Sequence, residues 1–234
     1  MKSLRLLLLL TAIPISAQTT FPAHPLDRAQ ILVWMDSGYE SDRVIQLIGR
    51  VGISFAPTDD DMRLFVAAGA TQPLTDAITH AKQSPAPAPT ISNAAFDQLA
   101  KCVKLTSDKK YEAAKNACTA ATSDDPSITF FALGNTLKET GLTQEELASF
   151  RSAETADPSI PDTHNYVGIA LQDAKDIKGA TKEYEQAIQL DHDYDTPHNN
   201  IADILLEKKD WKRYWREPRL CASREVVPSC CRTR

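Results

Sequence analysis

Residues 130–157 read FFALGNTLKETGLTQEELASFRSAETAD and residues 164–191 read HNYVGIALQDAKDIKGATKEYEQAIQLD. The two lines carry matching residue types at matching places. Phe130, Leu133, Gly134, Leu137, Phe150, Ala153 and Asp157 return as His164, Val167, Gly168, Leu171, Tyr184, Ala187 and Asp191, each 34 residues further on. A fixed period of this length marks stacked structural units. Within each unit the early positions fall at i, i+3, i+4 and i+7 and the later ones at i and i+3, so each unit is two short amphipathic helices. Gly134 or Gly168 lets the first helix approach the second closely, and Ala153 or Ala187 receives the next unit. Leu137, Leu171, Phe150 and Tyr184 fill the remaining space.

This pattern closely resembles the tetratricopeptide repeat (TPR) family. The resemblance implies an all-α fold, a helical-hairpin repeat solenoid coiled into a superhelix. Full units are expected at 93–126, 127–160 and 161–194, with a partial one at 195–211. The first is imperfect, because Tyr111, Ala114, Cys118 and Ala121 stand 32 rather than 34 residues before their counterparts. Two registers follow for its first helix. One turns Phe96, Leu99, Ala100 and Val103 inward; the other puts Cys102 in the glycine position, facing Cys118. In the second register a disulfide between Cys102 and Cys118 is geometrically open, with two reduced thiols packed as small apolar side chains as the alternative. The fourth unit starts with His198, Ile201, Ala202 and Leu205 and then fails, since Pro218 would break its second helix.

Ahead of the repeats, residues 26–83 read as a small helical module. Leu26, Ile31, Leu32 and Met35 form one face of a first helix ended by Gly38, and a second helix from Ser41 carries Val44, Ile45, Leu47 and Ile48. Thr58 is followed by three aspartates, a hydroxyl N-cap with carboxylates in the favourable first turn. A third helix then holds Met62, Leu64 and Phe65, and a fourth holds Leu74, Ala77 and Ile78. The segment from Val51 to Pro57, with Ala68, Gly69 and Ala70, resembles a small helical module of bacterial multidomain proteins, which implies no chemistry. Residues 84–92, with alternating prolines and small residues, read as a semi-rigid linker.

The chain of 234 residues has an ordinary globular composition with 42% hydrophobic residues. Its net charge of -5 conceals an acidic body between two basic ends, which argues against nucleic acid as a partner. Residues 1–17 read as an export signal: Lys2 and Arg5, an apolar run from Leu6 to Ile15, and a cut after Ala17. That run is too short for a stable membrane span, and the expected location is periplasmic or secreted. An oxidising compartment permits the disulfide. Residues 212–234 form an irregular basic tail holding Cys221, Cys230 and Cys231.

Tests for chemistry return little. Asp191, Asp193 and Asp195 mimic the odd ligands of a calcium loop, but Thr196 replaces its glycine and Ala202 its closing glutamate. They read as an acidic turn. His164 and His198 occupy the repeat position of Phe130, which favours packing over metal ligation. No serine elbow, phosphate-cradling glycine loop or metalloprotease helix is present. Neither enzyme activity nor a metal or cofactor is expected. Glu146, at a position the family keeps small, is explained by a capping box with Thr143.

The resemblance implies that the first helices line a groove for an extended peptide or partner helix. The outward residues there are Phe131, Asn135, Lys138, Asn165, Ile169, Gln172, Asn199, Asp203 and Leu206. The asparagines can hydrogen-bond a peptide backbone, and the acidic surroundings suit a neutral or basic partner. The expected role is a non-catalytic protein- or peptide-binding scaffold of the cell envelope. A dedicated assembly factor for a secretion, pilus or outer-membrane complex would use the same physics, and the rival of another class is an envelope enzyme with its site in the N-terminal module.

Overall fold

The computed structural model describes residues 24–84, 91–121 and 125–209. The proposed export signal and basic tail lie outside the described residues, as do most of the linker and the second helix of the fourth unit. Within them the chain is all-α: eleven helices, with no strand beyond isolated bridges.

The first four helices are α1 (Arg28–Asp36), α2 (Ser41–Val51), α3 (Asp59–Ala67) and α4 (Gln72–Thr79). Asp27 and Gln30 form a reciprocal capping box at the start of α1, and Thr58 and Asp61 form another at α3. Three short extended pieces tie these helices together. The Leu26 amide donates to the Gly52 carbonyl at 3.1 Å, the Ser54 amide to Leu26 at 2.9 Å, and the Ile53 amide to Lys82 at 3.1 Å. Gly52 stands where the backbone needs a φ of 76°, and a Cβ there would run into the Lys82 carbonyl oxygen.

The remaining helices come in pairs: α5 (Asn93–Ser107) with α6 (Tyr111–Ala121), α7 (Pro126–Lys138) with α8 (Thr143–Ala156), and α9 (Pro161–Asp173) with α10 (Ile177–Leu190), followed by α11 (Asp195–Glu207). Each packs on its partner and on the next in sequence. Leu137, Phe150, Ala153, Leu171, Tyr184 and Ala187 are all buried. The small-against-large reading of the sequence has a direct counterpart in distance: a Cβ on Gly134 would lie 2.5 Å from the Phe150 ring, and one on Gly168 would lie 2.5 Å from the Tyr184 ring.

The first pair solves the same contact differently. Cys102 and Cys118 are joined by a disulfide with Cα atoms 5.1 Å apart and a sequence separation of 16, the interval that also separates Gly134 from Phe150 and Gly168 from Tyr184. Cys102 therefore stands in the glycine position, and the second register is the one adopted. Of the residues the other register turned inward, only Ala100 is half-buried; Phe96, Leu99 and Val103 are buried alongside Cys102.

One local expectation fails. Leu142, not Thr143, precedes the first turn of α8, and no side chain caps it. Thr143 is already helical, so its hydroxyl is not placed to receive an amide three residues on. Glu146 is consequently buried with one carboxylate oxygen unpartnered, and burial pushes its carboxyl up from the ordinary range.

Candidate binding face

The helices α5, α7, α9 and α11 form the face on which the sequence places its binding residues, and the N-terminal helices lie against it. Helix α1 packs on α5 and α7 as well as on α3. This explains its composition. Residues 29–35 are buried on every side, and a helix that is apolar all round needs neighbours all round. Arg28 extends the contact, its guanidinium 3.9 Å above the Phe96 ring and its Nη2 donating to Asn93 at 2.5 Å.

The turn after α1 and the start of α2 reach further, to α9 and the loop before α11. Arg43 sits at the centre. Its Nη2 donates to Asp191 at 2.8 Å, its Nε donates to the Tyr39 hydroxyl at 2.9 Å, and its guanidinium lies 4.1 Å over the Tyr194 ring. The Tyr39 hydroxyl in turn donates to Asp162. Tyr166 donates to the Ser37 carbonyl at 2.8 Å, and Tyr39 stacks on Trp34 with ring centroids 5.3 Å apart. Two carboxylates buried in the repeats thus face one guanidinium from the module. Burial raises the pKa of Asp162 and opposes the guanidinium charge, while Tyr39, Asp162 and Asp191 hold Arg43 charged. Burial also pushes the Tyr39 and Tyr194 phenols well above their usual range, so both stay neutral and able to donate.

The nine groove residues consequently divide. Phe131, Asn135 and Asn165 are buried. Phe131 packs edge-on against Phe150 at 5.5 Å and Tyr166 at 4.9 Å. Asn165 donates to the Tyr194 hydroxyl at 3.2 Å and accepts from Asn200 at 3.0 Å. Phe131 and Asn165 thus hold the fold together and are not offered to a partner while the module stays in place, whereas Asn135 is buried with its amide nitrogen unpartnered. Ile169, Gln172 and Leu206 are half-buried, and Lys138, Asn199 and Asp203 are exposed. Lys138 keeps its ammonium 5.4 Å from the Tyr166 ring.

Besides a pocket of about 220 Å³ between Asp36 and Ser37 of the module and Asn135 and Lys138 of α7, a cleft of about 360 Å³ stays open where the module meets α9 and α11. Glu40, Asp42 and Arg43 line it from the module, Asp193 and Asp195 from the repeats, and Ile169 and Asn199 lie between, so four carboxylates share the cleft with one guanidinium. Sequence reasoning missed Tyr39, Arg43 and Tyr194. Their only signal was Tyr194 flanking the repeat motif without belonging to it. No protein-family model matches the chain, and no curated protein matches it.

Proposed function

We propose that the protein is a non-catalytic, TPR-like binding scaffold of the cell envelope, whose groove is filled by its own N-terminal module over the first repeats and open beyond them. The open part takes a neutral or basic peptide segment of a partner protein. The observation that carries this reading is the acidic cleft bounded by Glu40, Asp42, Asp193 and Asp195, next to the exposed Asn199. Peptide carbonyls and amides can pair with the Asn199 amide group, and Ile169 offers an apolar contact. The module itself offers one example, since its Arg43 pairs with the buried Asp191 of the repeats.

Selection from a random peptide library displayed against the full chain tests the reading. Enrichment of peptides containing lysine or arginine, with retention reduced about tenfold in Asp42→Asn with Asp195→Asn, supports it. A library that shows no charge preference, or the same enrichment in the double variant, refutes it. Asn165→Ala is not a suitable probe, because Asn165 is buried and its loss reports on stability.

A further inference from the structure

Away from the cleft, a second cluster joins the second and third repeat units. His164 on α9 directs Nδ1 at two carboxylates, 3.0 Å from Glu183 Oε2 on α10 and 3.4 Å from Glu154 Oε1 on α8. Its other ring nitrogen, Nε2, lies 3.0 Å from the Pro158 carbonyl. A carbonyl can only accept, so Nε2 carries a hydrogen and the neutral ring presents a lone pair at Nδ1. Three acceptor atoms then converge, and these ligand atoms all lie within 4.8 Å of one another. Such a convergence requires a cation between the atoms: either a proton on Nδ1 or a metal ion.

We propose that Glu154, His164 and Glu183 bind a divalent transition-metal ion of the zinc class, with water completing the coordination. Zinc bonds to nitrogen and oxygen of about 2.0 to 2.2 Å place tetrahedral ligands roughly 3.3 Å apart, which matches the 3.0 and 3.4 Å separations from His164 Nδ1. The outer contacts that metal sites need are also in place. The Pro158 carbonyl fixes the histidine tautomer. Arg151 Nη1 holds Glu154 Oε2 at 2.7 Å and Glu183 Oε1 at 2.8 Å, which turns the other oxygen of each carboxylate toward His164. Arg151 is the resident positive charge, and it engages only the oxygens that face away from the histidine.

The preceding unit carries neither member of the polar pair. Where the third unit has His164 and Glu183, the second has Phe130 and Ser149 at the corresponding positions. Glu154, the most exposed of the three ligands at 19% of its side chain, provides the way in. The ion would link α8 to α9 and α10 across the junction between units and keep at least one coordination position for solvent.

The test is titration of the chelator-treated full chain with Co2+, followed by its visible absorption, and with Zn2+ in competition. The expected result is one saturable equivalent at micromolar concentration, a spectrum of nitrogen and oxygen ligands without a thiolate charge-transfer band, and release of about one proton if Nδ1 is protonated beforehand. Glu154→Gln, at the most exposed of the three ligands, is expected to weaken binding at least tenfold, and His164→Gln to abolish it. Zn2+ is expected to raise the melting temperature of the wild type and not of His164→Gln. No saturable binding below about 100 μM, well short of the micromolar expectation, a thiolate band, or equal binding in both variants overturns the proposal; the first leaves a proton as the only occupant of the cluster.

Discussion

Alanine in place of glycine is expected to change stability in opposite directions at Gly168 and Gly49. Both glycines lie inside helices, α9 and α2. An alanine in a helix interior gains about 1 kcal/mol over glycine because less backbone entropy is lost. At Gly49 nothing lies within 4 Å of the new Cβ, so the gain stands uncontested. At Gly168 the Cβ would meet Tyr184 ring atoms at 2.5, 2.7 and 3.1 Å. Tyr184 is fully buried, and its hydroxyl donates to Gln172 at 2.9 Å, so the ring has nowhere to retreat without moving α10. Overpacking of this kind costs about 1 to 3 kcal/mol, and three simultaneous close contacts place it at the upper end. The net expectation is a loss of about 1 to 2 kcal/mol for Gly168→Ala and a gain of about 0.5 to 1 kcal/mol for Gly49→Ala. Urea unfolding followed by circular dichroism reads both as shifts of the midpoint at constant slope. For a chain of this size the corresponding melting temperatures move by about 2 to 4 °C per kcal/mol. A Gly168→Ala protein as stable as the wild type would refute the assigned packing of α9 on α10, whatever Gly49→Ala does.

Other outcomes follow from the same geometry. Cys102→Ala with Cys118→Ala removes a bridge that closes a loop with a sequence separation of 16; a loss of about 2 to 4 kcal/mol is expected, and an unchanged midpoint would show that the bridge contributes nothing. Asp27 is buried with Oδ2 unpartnered, and burial raises its pKa to about 6. A raised pKa means that the folded chain holds the proton more tightly, so this group stabilises the fold below about pH 4 and the stabilisation is lost as pH rises through 6. Asp27→Asn keeps an oxygen for the Gln30 amide, so it should match the wild type at pH 4 and exceed it at pH 7 by about 1 to 3 kcal/mol. Equal pH dependence in the two proteins would contradict the buried proton. Ala187→Arg places a long charged side chain where no surface is exposed; a loss of at least about 3 kcal/mol is expected by thermal melting, and a normal melting temperature would contradict the register of α10.

The helix pairs from Asn93 to Glu207 were legible because each carries its own periodicity, and Gly134, Gly168, Phe150 and Tyr184 announce which helix touches which. The register of the first pair was not legible. Its helices are offset by two residues from the others, and two inward sets fit equally until Cys102 and Cys118 are seen together. The candidate face was legible as a set of positions and not as an environment. Helix α1 was read as one-sided from Leu26, Ile31, Leu32 and Met35, whereas Ala29 to Met35 is buried all round. That uninterrupted run is what a helix covered on two sides looks like, and it signals that the module has a second partner. Which partner depends on contacts such as Tyr39 with Asp162, separated by 123 residues, and no local pattern encodes those. His164 was read as packing because Phe130 and His198 share its position. Its carboxylate partners come from α8 and α10, outside the matched set.

The seat of the N-terminal module on the repeats is the central claim, and the contact between Arg43 and Asp191 spans it. A double-mutant cycle with Arg43→Met and Asp191→Asn, read by urea unfolding of the full chain, measures that contact without removing the volume of either side chain. With Nη2 and Oδ2 2.8 Å apart and both side chains largely buried, each single change leaves a buried polar group behind, and a loss of about 3 kcal/mol or more is expected. The coupling between them should be at least about 1.5 kcal/mol. A coupling below about 0.5 kcal/mol, the range of independent sites, would mean that the module does not rest on this face.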